Sequence, residues 1–151
     1  MYKKIINNLY LGGMKTIPND ADLVLSCAEE IFNDINDSNE AKKIIKNSVK
    51  SIYYNFEDYP NIQDMDISLI NDAINQIELN ILNKKIYVHC VWGVNRSASI
   101  VFMYLVRNKL IGGRNYKEAQ NEYWKIYPNH SPNPGWKTFL EFNFPYNFIK
   151  K

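Results

Sequence analysis

Cys90, Arg96 and Ser97 fall within one stretch, Ile86-Tyr87-Val88-His89-Cys90-Val91-Trp92-Gly93-Val94-Asn95-Arg96-Ser97, and together could carry out nucleophilic substitution at phosphorus. If Val91 to Asn95 curl as a loop that opens a helix, successive backbone N–H groups point inward and the helix dipole adds partial positive charge. Such a turn binds a dianion. The same field favours a thiolate over a thiol, since cysteines at helix N-termini fall from about 8.5 to roughly 3.5 to 7.5 in pKa. Gly93 lets the backbone come close with no side chain in the way, and the planar fork of Arg96 can grip two phosphoryl oxygens. Val91, Trp92, Gly93, Val94, Asn95 and Arg96 are therefore the expected substrate-binding set. Ser97 can donate a hydrogen bond to the sulfur, which makes Cys90 a better leaving group in a second step. His89 and Asn95 are expected to support the loop by hydrogen bonding.

Elements on both sides must aim this loop. Ile86 to Val88 reads as a short strand ahead of Cys90, and Ala98 to Val106, apolar almost all round, as a helix in the middle of the domain. Leu23-Val24-Leu25 suits a strand buried on both faces, Val49 to Tyr54 another strand, and Ile5 to Leu11 a strand or hairpin closed by the turn Gly12-Gly13. Ser38 is read as the N-cap of a short helix carrying Ala41, Ile44 and Ile45. Ile67, Ile70, Ile74, Ile77 and Ile81 keep helical spacing over Asp64 to Leu82, with Asp64 or Asp66 as the cap. Asn115 and Glu118 resemble a capping box for a helix that Pro128 ends, and a last helix runs from Pro134 towards Phe142. Strands alternating with helices imply an α/β layer architecture, in which ligands bind beyond the carboxyl ends of the strands. Cys90 stands at such an end.

Composition narrows the classes. At 151 residues the chain is expected to be one domain, 1–151, with a core large enough to need no disulfide or metal staple. A net charge of +2 with scattered lysines gives no footprint for nucleic acid. No signal peptide and no apolar run of membrane-spanning length is evident, and Cys27 and Cys90 are the only cysteines, so a reducing, cytoplasmic setting is expected. Cys27 reads as a small buried hydrophobe, with a disulfide to oxidised Cys90 as the alternative. His130, among prolines and asparagine, reads as an exposed loop residue.

The pattern His89-Cys90-x5-Arg96-Ser97 resembles the signature of the cysteine-dependent protein tyrosine phosphatases. The wording Gly93-Val94-Asn95-Arg96-Ser97-Ala98, the opening Asn7-Asn8-Leu9-Tyr10-Leu11-Gly12 and the segment Pro132-Asn133-Pro134-Gly135-Trp136 are similar to the dual-specificity branch, and within it to the poxvirus-type enzymes. The resemblance implies a three-layer α/β fold whose central, mostly parallel twisted sheet has about four to five strands flanked by helices. It implies hydrolysis of phosphotyrosine and phosphoserine or phosphothreonine through a phospho-cysteine on Cys90, with no metal and no cofactor. The general acid in that family is an aspartate on the loop after the third strand, which falls on Asp58; Glu57 is its neighbour, while Asp64 and Asp66 serve as helix caps. The partners implied are phosphorylated proteins, not nucleic acid or membrane, in a host cytosol or a virus particle. The first strand starts almost at Met1, without the poxvirus-type enzymes' extra N-terminal helix, so a monomer or weak homodimer is expected. Trp92 is bulkier than the small residue usual at its place. The rival readings are the same chemistry on RNA 5′-phosphates or phosphoinositides, and a catalytically dead phospho-binding module.

Overall fold

The apolar runs of the sequence form the middle of a sheet. The computed structural model describes residues 2–36, 43–46 and 50–148. Its strands are β1 (Tyr2–Ile6), β2 (Leu9–Gly12), β3 (Leu23–Ser26), β4 (Lys43–Lys46), β5 (Ser51–Tyr54) and β6 (Ile86–His89), and its helices α1 (Glu29–Ile35), α2 (Ile67–Asn80), α3 (Arg96–Arg107), α4 (Tyr116–Ile126) and α5 (Pro134–Phe142). The sheet order is β1-β2-β6-β3-β5-β4. The inner pairs, β2 with β6, β6 with β3 and β3 with β5, are parallel, and the outer pairs are antiparallel. Every residue of β3 and β6 is buried, as expected for strands covered on both faces.

The register sets the position of the site. Gly12 lies beside His89, His89 beside Ser26 and Ser26 beside Tyr53, so the chain leaves β2, β6, β3 and β5 at one edge of the sheet. The segments that follow these ends, Gly13-Met14, Cys90 to Asn95, Cys27-Ala28 and Asn55 to Asp58, are thereby brought together.

α3 packs on β6 and β2 with all of its residues buried, which accounts for its nearly uninterrupted apolar sequence. α2 is capped by Asp66, whose side chain accepts from the Leu69 N–H at 3.0 Å, and buries Leu69, Ile70, Ala73, Ile74 and Ile77. Asp64 instead lies in a 3-10 turn, Ile62–Asp64. Asn115 caps α4 by accepting from the Glu118 N–H at 2.9 Å, but the Glu118 carboxylate reaches Arg114 N–H rather than Asn115 N–H. The main core holds the side chains of Leu9, Leu11, Leu23, Leu25, Ile86 and Val88; a smaller cluster of Ala21, Val24 and Tyr87, with Tyr10 against it, holds the alternate residues. No helix among the described residues is long and apolar enough to cross a membrane.

Three expectations are corrected. Ile44 and Ile45 belong to strand β4, not to a helix, and pair antiparallel with Tyr53 and Ile52; Ser38 and Ala41 lie outside the described residues. The β-branched pair fits a pleated edge, and pairing with β5 satisfies its backbone. This strand, together with the resolution of Tyr2–Gly12 into two strands, makes six strands rather than four or five. The hairpin turns at Asn7-Asn8, not at Gly12-Gly13: Asn8 takes a left-handed φ of 70°, which asparagine tolerates. Helix α1 was not anticipated. Its N-cap is Ala28 with no side-chain cap, so it carries no start signal of the Ser, Thr, Asp or Asn kind.

Candidate active site

Cys90 follows β6 at the floor of a cleft, with only 2% of its surface exposed. Ser97, in the first turn of α3, donates its Oγ–H to Cys90 Sγ at 3.2 Å, the bond expected from their spacing. Between them the chain makes a tight loop. Gly93 adopts a φ of +75°, and a Cβ there would lie 2.7 Å from the backbone of Gly12, so only glycine permits the approach. Tyr127 donates its hydroxyl to the Gly93 carbonyl at 2.7 Å, and the Met14 N–H donates to the Val91 carbonyl at 3.1 Å. Among the described residues, no protein acceptor takes the amides of residues 91–95. The helix behind them is long and has no side-chain cap, because Asn95, its N-cap residue, is engaged elsewhere. Uncapped N–H groups at a helix start form an anion site.

Arg96 is buried and held on two edges. Nη1 donates to Glu30 Oε1 at 2.5 Å and to the Phe56 carbonyl at 3.0 Å, and Nη2 donates to Glu30 Oε2 at 3.1 Å. Its Nε–H is buried and has no hydrogen-bond partner, with Asp58 Oδ1 at 3.5 Å. An unpaired buried donor costs about 1 to 3 kcal/mol, so this corner of the guanidinium is a strong attractor for an oxyanion. Burial works against the Arg96 charge, yet the bond to Glu30 and the nearby Cys90 and Asp58 outweigh it and raise its pKa. The bond to Arg96 in turn holds the Glu30 carboxyl below the usual glutamate value.

Asp58 reaches the cleft from the segment after β5. Asn95 donates its side-chain amide to the Asp58 carbonyl at 3.0 Å and to Oδ1 at 2.9 Å, and Asn133 does the same at 2.8 and 3.2 Å. Asn95 Oδ1 accepts from the Asn133 N–H at 2.9 Å, so one asparagine ties the cysteine loop, the Asp58 segment and the start of α5 together. Both side-chain amides reach Oδ1, and Oδ2 makes no hydrogen bond among the described residues. Trp136 Nε1 fixes the same segment through the Glu57 carbonyl at 2.8 Å. The Glu57 side chain does not line the cleft, which separates it from Asp58.

The cleft has a volume of about 250 Å³ and is lined by Glu30, Asp58, Tyr59, Cys90, Trp92, Val94, Asn95, Arg96 and Asn133. Of the sequence-derived set, Cys90, Arg96, Asp58, Trp92, Val94 and Asn95 meet there. Ser97 stands behind the sulfur, and Val91 and Gly93 have only backbone groups to contribute. His89 lies behind the loop, its Nδ1 3.0 Å from the Cys90 carbonyl oxygen, and burial pushes its pKa down. Glu30, Asn133, Tyr59 and Tyr127 are additions that sequence reasoning missed. Asn133 alone had a signal, in the segment Pro132 to Trp136.

His130 is not the exposed loop residue expected. It is 2% exposed, with Nε2 3.0 Å from Ser99 Oγ and Nδ1 3.1 Å from the Gln120 amide, between the rings of Phe102 and Tyr123. Polar partners inside the core make its burial tolerable. Cys27 is fully buried, and burial pushes its thiol pKa well up, consistent with a core residue. No three His, Cys, Asp or Glu side chains among the described residues come together as a metal site.

The profile of the dual-specificity phosphatase catalytic domain matches residues 9–143. AMV078 of Amsacta moorei entomopoxvirus, named a candidate tyrosine-protein phosphatase, is 33% identical over 129 residues, which cover 77% of this chain and 70% of the relative. The crystal structure of DUSP15 superposes with a TM-score of 0.69 at 17% identity, over 99% of this chain and 92% of that one. That of PTPMT1 in complex with PI(5)P superposes at 0.67 and 20% identity, over 99% and 96%.

Proposed function

Because the chain belongs to the dual-specificity phosphatase family, we propose that it hydrolyses phosphotyrosine and phosphoserine or phosphothreonine on proteins through a phospho-cysteine on Cys90. The observation that carries this reading is that Arg96, whose buried Nε–H makes no hydrogen bond and has only the ion-pair contact to Asp58 at 3.5 Å, lines one cleft with Cys90 and Asp58. A phosphoryl oxygen is the natural acceptor for that donor, and the unpaired N–H groups of residues 91–95 can donate to the other phosphoryl oxygens.

In the first step Cys90 Sγ attacks phosphorus, forming an S–P bond as the bond from phosphorus to the leaving oxygen breaks. Asp58 gives its proton to that oxygen. In the second, Asp58 takes a proton from water, the water oxygen attacks phosphorus and the S–P bond breaks. The Ser97 hydroxyl stabilises the departing thiolate, and inorganic phosphate leaves. Arg96 and the loop amides hold the equatorial oxygens throughout.

The charge of the cleft supports a monoester on a protein over a polyanion. Among its described lining residues Arg96 is the single cation, against the carboxylates of Glu30 and Asp58. An RNA triphosphate or an inositol phosphate would meet no further positive charge there. A binding-only role fits poorly with the nucleophile, the acid and the arginine all in place. The likeness to a viral relative supports action in a host cytosol or a virus particle.

The test is hydrolysis of an aryl phosphate in EDTA, which Cys90→Ser should abolish; activity that survives this substitution would falsify the mechanism. Asp58→Asn should lower kcat by roughly 10²-fold or more for a poor leaving group and far less for a good one. Equal small effects would move the acid role elsewhere.

A further inference from the structure

The cleft is apolar at its rim in a way that phosphate chemistry does not require. Trp92 is 74% exposed and Tyr59 is 75% exposed, and both line the cleft whose floor holds Cys90. They arrive from different elements, Trp92 from the loop after β6 and Tyr59 from the segment after β5. Their main chains are fixed. The loop of Trp92 is tied at Val91 to Met14 and packs against Gly13, whose Cβ position lies 2.9 Å from the Val91 carbonyl oxygen. Tyr59 follows Asp58, whose carbonyl accepts two side-chain amides.

Their side chains, by contrast, are without partners. Neither ring stacks on another aromatic, and neither the Trp92 indole N–H nor the Tyr59 hydroxyl makes a hydrogen bond among the described residues. The other two tryptophans are both used: Trp136 is buried and bonded to Glu57, and Trp124 bonds to the His130 carbonyl. Two large aromatic surfaces thus flank the entrance to a buried nucleophile with nothing to cover them.

We propose that Trp92 and Tyr59 form an aromatic mouth that makes the enzyme prefer phosphotyrosine over phosphothreonine and phosphoserine. The assignment rests on the phosphatase reading above and narrows it. When a phosphoryl group sits at the Cys90 floor, the phenyl ring of phosphotyrosine spans the depth of the cleft and lies between the two rings at the rim. It then gains aromatic contact and apolar burial together. The short linkage of phosphothreonine offers no ring there and would draw the peptide backbone down between the two side chains, leaving both surfaces uncovered.

The test uses two peptides of one sequence, phosphorylated on tyrosine or on threonine, with inorganic phosphate release as the readout. The wild type should show a higher kcat/KM on the phosphotyrosine peptide. Trp92→Ala should lower the ratio of the two kcat/KM values by about tenfold, which is about 1.4 kcal/mol of transition-state binding, and Trp92→Phe should restore most of it. Tyr59→Ala should lower the ratio in the same direction, with Tyr59→Phe near wild type. In a Cys90→Ser background, phosphotyrosine should change the tryptophan fluorescence, and that change should vanish when Trp92→Phe is added. If wild type hydrolyses both peptides but neither alanine variant moves the ratio, the aromatic mouth is wrong and the phosphatase reading stands. If no Cys90-dependent hydrolysis of either peptide occurs, both fall.

Discussion

Arg96 uses the corners of its guanidinium differently. Nη1 and Nη2 are committed to Glu30 and Phe56, while the buried Nε–H makes no hydrogen bond and has only the ion-pair contact to Asp58 Oδ1 at 3.5 Å. Under the proposed mechanism, Glu30 acts as a positioning residue that fixes the orientation of the Arg96 guanidinium. Glu30→Gln should lower kcat/KM on an aryl phosphate by about tenfold to a hundredfold, because small misplacement of a binding group is costly in rate. Inhibition by inorganic phosphate, measured in the same variant, should weaken in parallel. Tighter phosphate inhibition would show instead that Glu30 competes with the phosphoryl group. Ser97→Ala removes the donor to the sulfur and should slow the second step, so that a stopped-flow burst of product, stoichiometric with enzyme, precedes a slower steady rate. At this scale Cys90, Arg96 and Ser97 were legible because they are neighbours in sequence and the chemistry fixes their spacing. Glu30 and Asn133 were not, since each acts across a tertiary contact that no local pattern encodes.

The element that matters most for the proposed acid step is the segment after β5, which has no regular structure of its own and borrows its shape from α5. Asn133 and Trp136 bond its carbonyls, and Gly135 lets α5 approach so closely that a Cβ would lie 2.2 Å from the Pro60 carbonyl oxygen. Gly135→Ala must push that segment away. It should therefore reproduce the leaving-group dependence of Asp58→Asn, with a loss of about tenfold to a hundredfold on a poor leaving group and little on a good one. A uniform loss across a series of aryl phosphates would mean that the contact serves folding alone. Helices with a cap and a periodic apolar face, such as α2 and α4, could be read from sequence because both signals are local. β4 could not, since two adjacent isoleucines among lysines fit an edge strand as well as a helix, and only pairing with β5 decides. α1 has no capping side chain, so its start, and with it the place of Glu30, was marked only by the acidic pair Glu29-Glu30 in its first turn, a weak signal.

Across the whole molecule, the parallel inner strands and their shared register deliver four loops to one edge, and this much followed from the alternation of strands and helices. What alternation could not reveal is how the core behind the site is knit, and His130 illustrates it. Its polar neighbours in sequence suggested a surface loop, yet it lies inside the core between Ser99 and Gln120. Burial pushes its pKa from 6.5 down to about 3. A histidine whose folded pKa is depressed takes up its proton more readily when unfolded, so its contribution to stability is complete above pH 6.5 and is lost as pH falls toward 3. The loss is about 1.4 kcal/mol per pH unit, or about 2 kcal/mol by pH 5. His89, also depressed by burial, adds to it with the same sign, while Glu29, raised by burial and by Glu57 and Glu30, works the other way. The contribution of His130 is therefore isolated by difference. Urea unfolding at pH 7.5 and pH 5 should show a drop in stability that is smaller by about 2 kcal/mol in His130→Gln, whose amide can still bond Ser99 and Gln120 but cannot be protonated. An equal drop in both proteins would mean that His130 is not held neutral by the core, and that the acid sensitivity of the fold has its source in other groups.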